Sequence, residues 1–450
     1  MIYIDRNSGT ISINSKLYIL LVLFFILNNP ALILLNGLFQ YPLLPKLLIL
    51  KNILFFLIVL IFLISVSFAL KIKVISKSNL FLGIFYILIL NIYLLLSFFG
   101  NYLNVATLIY YIKFMVLGIS LTILTSLYIR KFETFNFLRV YRLTGWIIVS
   151  FGLLEYILPV ETIWGKIIKI QSFMENTETD PWASIPLSES GRFYSWDLYI
   201  ILGEKLRRLV SIYADPTLTA NVLVLLLNIF LLLPKKKIKD KILIVLIILC
   251  GFLTLSKFFV LSLLTSILFY FTEVMIRNII IYLLIGNVII SILLINIFPY
   301  IPSVAHIQGL ISAFTNFQPF GRGLGQAGNY AIFSHIEHTV GGESSIGSML
   351  AQIGIFSFLL IFQINNLLNL IVSNYKKINF KKINIKNKNV FILESFILKV
   401  AYITILEFFI EMSFSESSIS ITTMIITFIS ILPILNTTIN WIKAKKNEKA

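Results

Sequence analysis

Apolar runs of about 20 residues recur along the whole chain, and no other feature limits its fold as tightly. A helix of that length spans the hydrocarbon core of a bilayer, so a chain built from many such runs reads as an all-α polytopic membrane protein. The alternation expected of membrane β-barrel strands is absent. Of 450 residues, 58% are hydrophobic and only 13% are charged, whereas soluble domains carry about 25% charged residues. The runs predict about twelve spans: 17–35, 47–70, 80–99, 105–129, 143–160, 215–234, two short runs either side of Ser256-Lys257, then 279–298, 346–372, 390–412 and 419–441.

The net charge is +17. A basic balance can signal nucleic acid, but here Lys and Arg collect in alternate short segments, after spans two, four, six, ten and twelve and more weakly after eight. That pattern reports topology rather than a nucleic-acid partner. By the positive-inside rule those segments and both termini are cytoplasmic. The long segments 161–216 and 299–345 are then extracytoplasmic together, where one site can draw on both. The single cysteine, Cys250, lies in an apolar run, so neither a disulfide within the chain nor a cysteine-based zinc site is expected. The first apolar run lacks a small-residue cleavage site and reads as a retained span rather than a signal peptide. Residues 1–450 are read as a single integral membrane domain.

The stretch from Phe298 to Gln352 concentrates chemistry. It holds His306, His335 and His338, a glycine cluster Gly321-Arg322-Gly323-Leu324-Gly325, and Glu343 just before the next span. Its aromatic and apolar content argues against disorder, and a loop of this length between spans is usually functional. The glycines permit close backbone approach to a ligand. The cluster is not a dinucleotide fingerprint, because no strand precedes it. Arg322 is the only Lys or Arg in 299–345, and a guanidinium suits bidentate phosphate binding. His335 and His338 share a face if helical and are candidates for a general base, against the plainer role of interfacial histidines. No recognised zinc spacing is present.

In segment 161–216, Trp164, Trp182, Trp196, Arg192, Lys205, Arg207 and Arg208 suit a stretch lying on the membrane interface. Arg207 and Arg208 precede Asp215-Pro216, which reads as a helix cap followed by the first helical position. Lys257 is either a snorkelling turn residue or a phosphate ligand. Glu343 can serve as a base or simply favour a helix start. Glu407 and Glu411 near the outer end of span eleven, and the lone charges Lys113 and Glu155, are membrane-embedded candidates.

Several segments resemble the O-antigen polymerase and ligase family. Arg208-Leu209-Val210-Ser211-Ile212-Tyr213-Ala214-Asp215-Pro216-Thr217 is similar to its arginine-to-Asp/Asn-Pro segment entering a span. Leu253-Thr254-Leu255-Ser256-Lys257 is similar to its Thr-x-Ser-Arg turn, with lysine in place of arginine. Pro319-Phe320-Gly321-Arg322-Gly323-Leu324-Gly325 and Glu343 to Ile355 are similar to its large-loop glycine segment and its re-entry segment. The match covers 208–358 in order. The resemblance implies a membrane-embedded glycosyltransferase architecture and a metal-independent, cofactor-free, inverting reaction. It would join undecaprenyl-diphosphate-linked oligosaccharide repeats into polysaccharide on the outer face of a bacterial cytoplasmic membrane, with a chain-length regulator protein as a partner. Arg208, Arg322, Lys257 and Arg207 would bind diphosphate, and His338, His335 or Glu343 would act as base. Ligation to a lipid A core is the sibling reaction. A lipid-linked oligosaccharide flippase is the rival, but it calls for polar residues within the spans.

Overall fold

In a computed structural model the protein is mostly helical. The structure describes residues 2–5, 10–13, 33, 35, 76–100, 102–126, 129–130, 134–171, 186–195, 203–297, 304–329, 331, 340–381, 388–415, 418, 423, 424 and 427. The second expected span, and nearly all of the first and twelfth, lie outside them. In chain order the elements begin with β1 (Ile2–Asp5), β2 (Thr10–Ile13), α1 (Lys77–Phe99), α2 (Val105–Ser126), β3 (Ile129–Arg130) and α3 (Thr134–Ile157). A π-helix (Glu161–Ile167), β4 (Tyr194–Ser195), β5 (Leu206–Arg207) and a 3-10 turn (Ser211–Tyr213) follow. Then come α4 (Pro216–Leu231), α5 (Ile238–Leu253), α6 (Lys257–Thr272), α7 (Ile279–Ile297), α8 (Val304–Thr315), α9 (Ser345–Ile353), α10 (Ser357–Lys381) and α11 (Lys388–Phe414).

Among the described residues, Lys77–Phe99, Val105–Thr125, Leu138–Ile157 and Ser345–Lys376 are long and apolar enough to cross a membrane. The 16-residue helices α4, α5 and α6 are each about 24 Å long, a little short of a typical hydrocarbon core of about 30 Å. The chain divides into two compact units. The first comprises residues 1–13, 63–132 and 273–450, and the second 14–62 and 133–272.

In the first unit α1 starts at Ser76, whose side chain accepts the N–H of Asn79. The apposition of α1 and α2 depends on small residues, as membrane helix pairs commonly do. A Cβ on Gly118 would lie 2.6 Å from the ring of the buried Tyr86. β2 pairs in parallel with β3, Ser12 opposite Arg130, so the N-terminal hairpin lies at the C-terminal end of α2. α10 and α11 pack side by side. The backbone before α7 docks on them: Asn278 Oδ1 accepts from Asn365 Nδ2 (3.1 Å) and Asn369 Nδ2 (2.7 Å), Tyr402 OH accepts from the Ile276 N–H (3.0 Å), and Glu273 pairs with Lys399. Inter-helix amide bonds of this kind join membrane helices without charge.

The tenth expected span, 346–372, is not one continuous helix. It breaks at Gly354 (φ 57°, ψ −133°) between α9 and α10. The break follows from crowding. Pro319–Gly321 of the preceding loop approach so closely that a Cβ on Gly354 would lie 2.6 Å from Gly321 N. The expected loop 299–345 also contains a helix, α8, which crosses α9 where Gly309 and Gly347 meet; a Cβ on Gly347 would be 2.6 Å from the Gly309 carbonyl oxygen.

In the second unit α4 is buried over most of its length. Its Asn228 Oδ1 accepts from Ser266 Oγ of α6 at 2.7 Å. The basic stretch expected as a loop before span five is largely helical: α3 begins at Thr134 and so includes Arg139 and Arg142. Arg142 Nε donates to the buried Asp240 of α5 at 2.6 Å, which explains a charged residue at that helix start. Trp164, expected at the interface, is instead buried. It packs against Phe151 and Phe193 with ring centroids 6.1 and 5.8 Å away. Trp182 and Trp196 lie outside the described residues.

Candidate functional site

Two of the described turns carry the arginines selected from the sequence, one in each unit. In the first unit the turn is Pro319–Gly328. The Arg322 N–H donates to the Ala351 carbonyl (2.8 Å), the Gly323 N–H to Gln352 O (3.0 Å), and the Ile355 N–H to Pro319 O (2.9 Å). The loop backbone thereby satisfies carbonyls at the C-terminal end of α9, which a broken helix would otherwise leave without partners. Gln352 is fully buried and uses both ends of its amide. Its Oε1 accepts the Gly325 N–H and its Nε2 donates to Ala327 O, each at 2.9 Å. Gly321 (φ 68°) and Gly325 (φ 77°) are required here: a Cβ on the first would lie 2.6 Å from Ile353 N, and on the second 2.8 Å from Thr107 Cα.

The same turn rests on the joined ends of α1 and α2. Thr107 Oγ1 donates to Leu324 O (3.1 Å), and the Tyr93 hydroxyl donates to Phe320 O. Arg322 is exposed on this base; Phe320, two residues before it, is 70% exposed, its ring tilted against that of Phe356 with centroids 6.4 Å apart. An exposed guanidinium of this kind can take an anionic group such as a phosphate.

Glu343 is half-buried, one residue before Ser344, whose Oγ accepts the Gly347 N–H and caps α9. His335 and His338 lie outside the described residues, as does the His306 side chain. The two histidines fall between Gly328 and Val340, which are joined by an N–H···O bond of 2.9 Å. That bond links the Arg322 turn to the segment carrying Glu343. Lys113, Glu407 and Glu411 are buried within α2 and α11; Lys113 lies 5.4 Å from the centroid of the Tyr110 ring.

In the second unit the turn runs from Leu206 to Asp215. β4 and β5 form a short antiparallel hairpin with Tyr194 opposite Arg207. The Arg208 side chain donates to Thr254 O and Gly191 O, each at 3.0 Å, and the Leu209 N–H donates to Leu253 O at 2.8 Å. Segment 206–215 is thus fixed against the turn between α5 and α6. Lys257, exposed at the first position of α6, is three residues from the carbonyl that holds Arg208. Two of the sequence-selected cations therefore belong to one turn region. Arg192, expected only as one of the interfacial cations, joins them by donating to Ala214 O at 3.3 Å. Asp215 caps α4 as expected, its Oδ1 accepting from Thr217 and Leu218 N–H at 2.8 and 2.9 Å.

Arg207 turns inward. It donates to the Glu155 carboxylate (3.3 Å) and to the carbonyls of Glu155 and Leu158. Glu155 is therefore not the lone charge the sequence suggested. Its other carboxylate contacts are Trp164 Nε1 (3.0 Å) and the N–H groups of Val210 (2.9 Å) and Ser211 (3.2 Å). Burial pushes the Tyr213 phenol well above its usual range, and its hydroxyl has no hydrogen-bond partner among the described residues.

Compared with models of known protein families and with curated proteins, the chain matches none of them.

Proposed function

We propose that the protein is a membrane-embedded glycosyltransferase that joins undecaprenyl-diphosphate-linked oligosaccharide repeats into polysaccharide on the outer face of a bacterial cytoplasmic membrane. The observation that carries this reading is the exposed Arg322 on a glycine turn, pinned to α9 and edged by Phe320. A glycosyl diphosphate leaves as a stabilised anion, so its departure calls for fixed cations. Arg322 meets that need in one unit, and Arg208 with Lys257 in the other. The acceptor hydroxyl requires a base. His338 is assigned first, Glu343 second and His335 third.

Both termini are cytoplasmic in this reading, and segments 161–216 and 299–345 are extracytoplasmic. Two contacts support the sidedness within the first unit. The N-terminal hairpin pairs beside Arg130 at the basic end of α2, while the 319–328 turn binds Thr107 at the opposite, uncharged end of that helix. Ligation to a lipid A core uses the same donor and is the sibling reaction. Buried Lys113, Glu407 and Glu411 favour a second reading, a lipid-linked oligosaccharide transporter, because ionisable residues inside a membrane bundle mark substrate or proton paths.

One experiment separates these readings. Purified protein in liposomes is given a lipid-linked repeat unit on one face, and products are resolved by length. Longer glycans without added protein factors support the polymerase. Movement of the unchanged donor across the bilayer, with no extension, supports the transporter and refutes the enzyme.

A further inference from the structure

A carboxylate in a membrane-spanning helix is costly unless its surroundings hold it, and Glu155 is fully buried near the end of α3. If it served only to join α3 to the next segment, a neutral amide would do so at lower cost. Three of its four donors instead come from one short piece of chain, 207–211. Val210 and Ser211 give it consecutive N–H groups, and Arg207 and Trp164 close its remaining sides. Val210 is held at both ends, because its carbonyl accepts from Thr219 Oγ1 of α4. Ser211 is held again through its hydroxyl, which donates to Ile148 O at 2.6 Å. Gly152, one turn before Glu155, leaves room for this approach; a Cβ added there would lie 3.1 Å from Leu209 and 3.2 Å from Ser211 Oγ.

The backbone so held is not relaxed. Ser211 (φ 48°) and Ala214 (φ 51°) are both left-handed without being glycine. Such conformations persist where surrounding contacts over-determine them, and they cluster at ligand sites. Arg208 lies between the anchored Arg207 and the anchored Val210–Ser211 pair. Its direction toward Thr254 O and Gly191 O is therefore set on both sides by the same carboxylate.

We propose that Glu155 is a positioning residue, which fixes Arg208 at the α5–α6 turn by gathering Arg207, Val210 and Ser211 around one buried carboxylate. What Arg208 then binds rests on the reading above, a polyprenyl-type diphosphate; the positioning itself does not.

The test uses full-length protein in lipid nanodiscs carrying Glu155→Gln, Arg208→Ala, or both, with farnesyl diphosphate as the soluble probe. Hydrogen exchange across residues 206–215 should accelerate about tenfold or more in Glu155→Gln, while α4 and α5 stay protected. Probe affinity should fall by roughly tenfold or more in each single variant, the scale of losing a hydrogen bond to a charged group. The double variant should bind no worse than Arg208→Ala alone, because a residue acting through Arg208 has nothing left to position. If Glu155→Gln alone does not fold, Glu155→Gln with Arg207→Gln removes both buried charges and enters the same comparison. Unchanged exchange over 206–215 overturns the proposal, as do additive losses of affinity. If the wild type fails to bind the probe while exchange responds as stated, the diphosphate reading fails and the positioning role stands.

Discussion

The side-chain carbonyl of Gln352 accepts the backbone N–H of Gly325 at 2.9 Å, joining the C-terminal end of α9 to the loop that displays Arg322. Both groups are buried, and the other half of the same amide holds Ala327. Gln352→Leu, similar in size, strands one donor and one acceptor. Each orphaned group costs about 1–3 kcal/mol. The variant should show a lowered midpoint of thermal unfolding and faster proteolysis within 316–328. A wild-type proteolysis pattern would show that the loop is held by other means.

Gly354 carries a stricter requirement. Its φ of 57° with ψ of −133° is a conformation that side-chain-bearing residues adopt only at a cost of about 1–3 kcal/mol, and the Pro319–Gly321 backbone leaves no room for a Cβ. Gly354→Ala should lower the amount of folded protein in membranes, read by size-exclusion profile at matched expression. Gly286→Ala is the control, because nothing lies within 4 Å of a Cβ there.

Cysteine labelling addresses sidedness. The native Cys250 is buried, so introduced cysteines report cleanly. Ser188→Cys and Gln318→Cys, both at exposed positions, should react with an impermeant maleimide on intact cells. Lys236→Cys, in the basic turn between α4 and α5, should react only after permeabilisation. The reverse pattern would place both arginine turns on the cytoplasmic face and remove the proposed reaction.

Replacement of arginine by lysine distinguishes fork geometry from simple charge. Arg322→Lys and Arg208→Lys keep the charge but lose bidentate binding, so each should reduce polymer formation by tenfold or more if about one charged hydrogen bond is lost. For Arg208 the lysine also forfeits the bonds to Thr254 O and Gly191 O. Normal polymer length from both lysine variants would remove the diphosphate assignment.

The parts legible from sequence are those governed by local rules. Asp215-Pro216 announced the start of α4, because a capping carboxylate and a proline at the first helical position act within one turn. Ser256-Lys257 marks the break between two short helices because a polar pair interrupts an apolar run. Glu155 looks isolated in the sequence because Arg207 and Val210 are more than 50 residues away. The break at Gly354 was hidden inside an apolar run whose interruption comes from another segment's backbone. Gln352 did give a signal: an amide within a membrane span seeks a partner. Which partner it finds depends on the loop's path, which hydropathy does not record.

The bond from Thr107 to Leu324 spans 217 residues of sequence. Ribosomes deliver about 5–20 residues per second, so roughly 10–40 s separate the emergence of α2 from that of the loop segment it binds. Throughout that interval the Thr107 hydroxyl and the Tyr93 hydroxyl have not yet met their later partners. Until the loop arrives Thr107 has only its local acceptors, Tyr102 O and Asn104 Oδ1, and the Tyr93 hydroxyl is left to water, a lipid headgroup or an insertion factor. Truncated nascent chains that stop before residue 319 should be the ones retained longest by the insertion machinery.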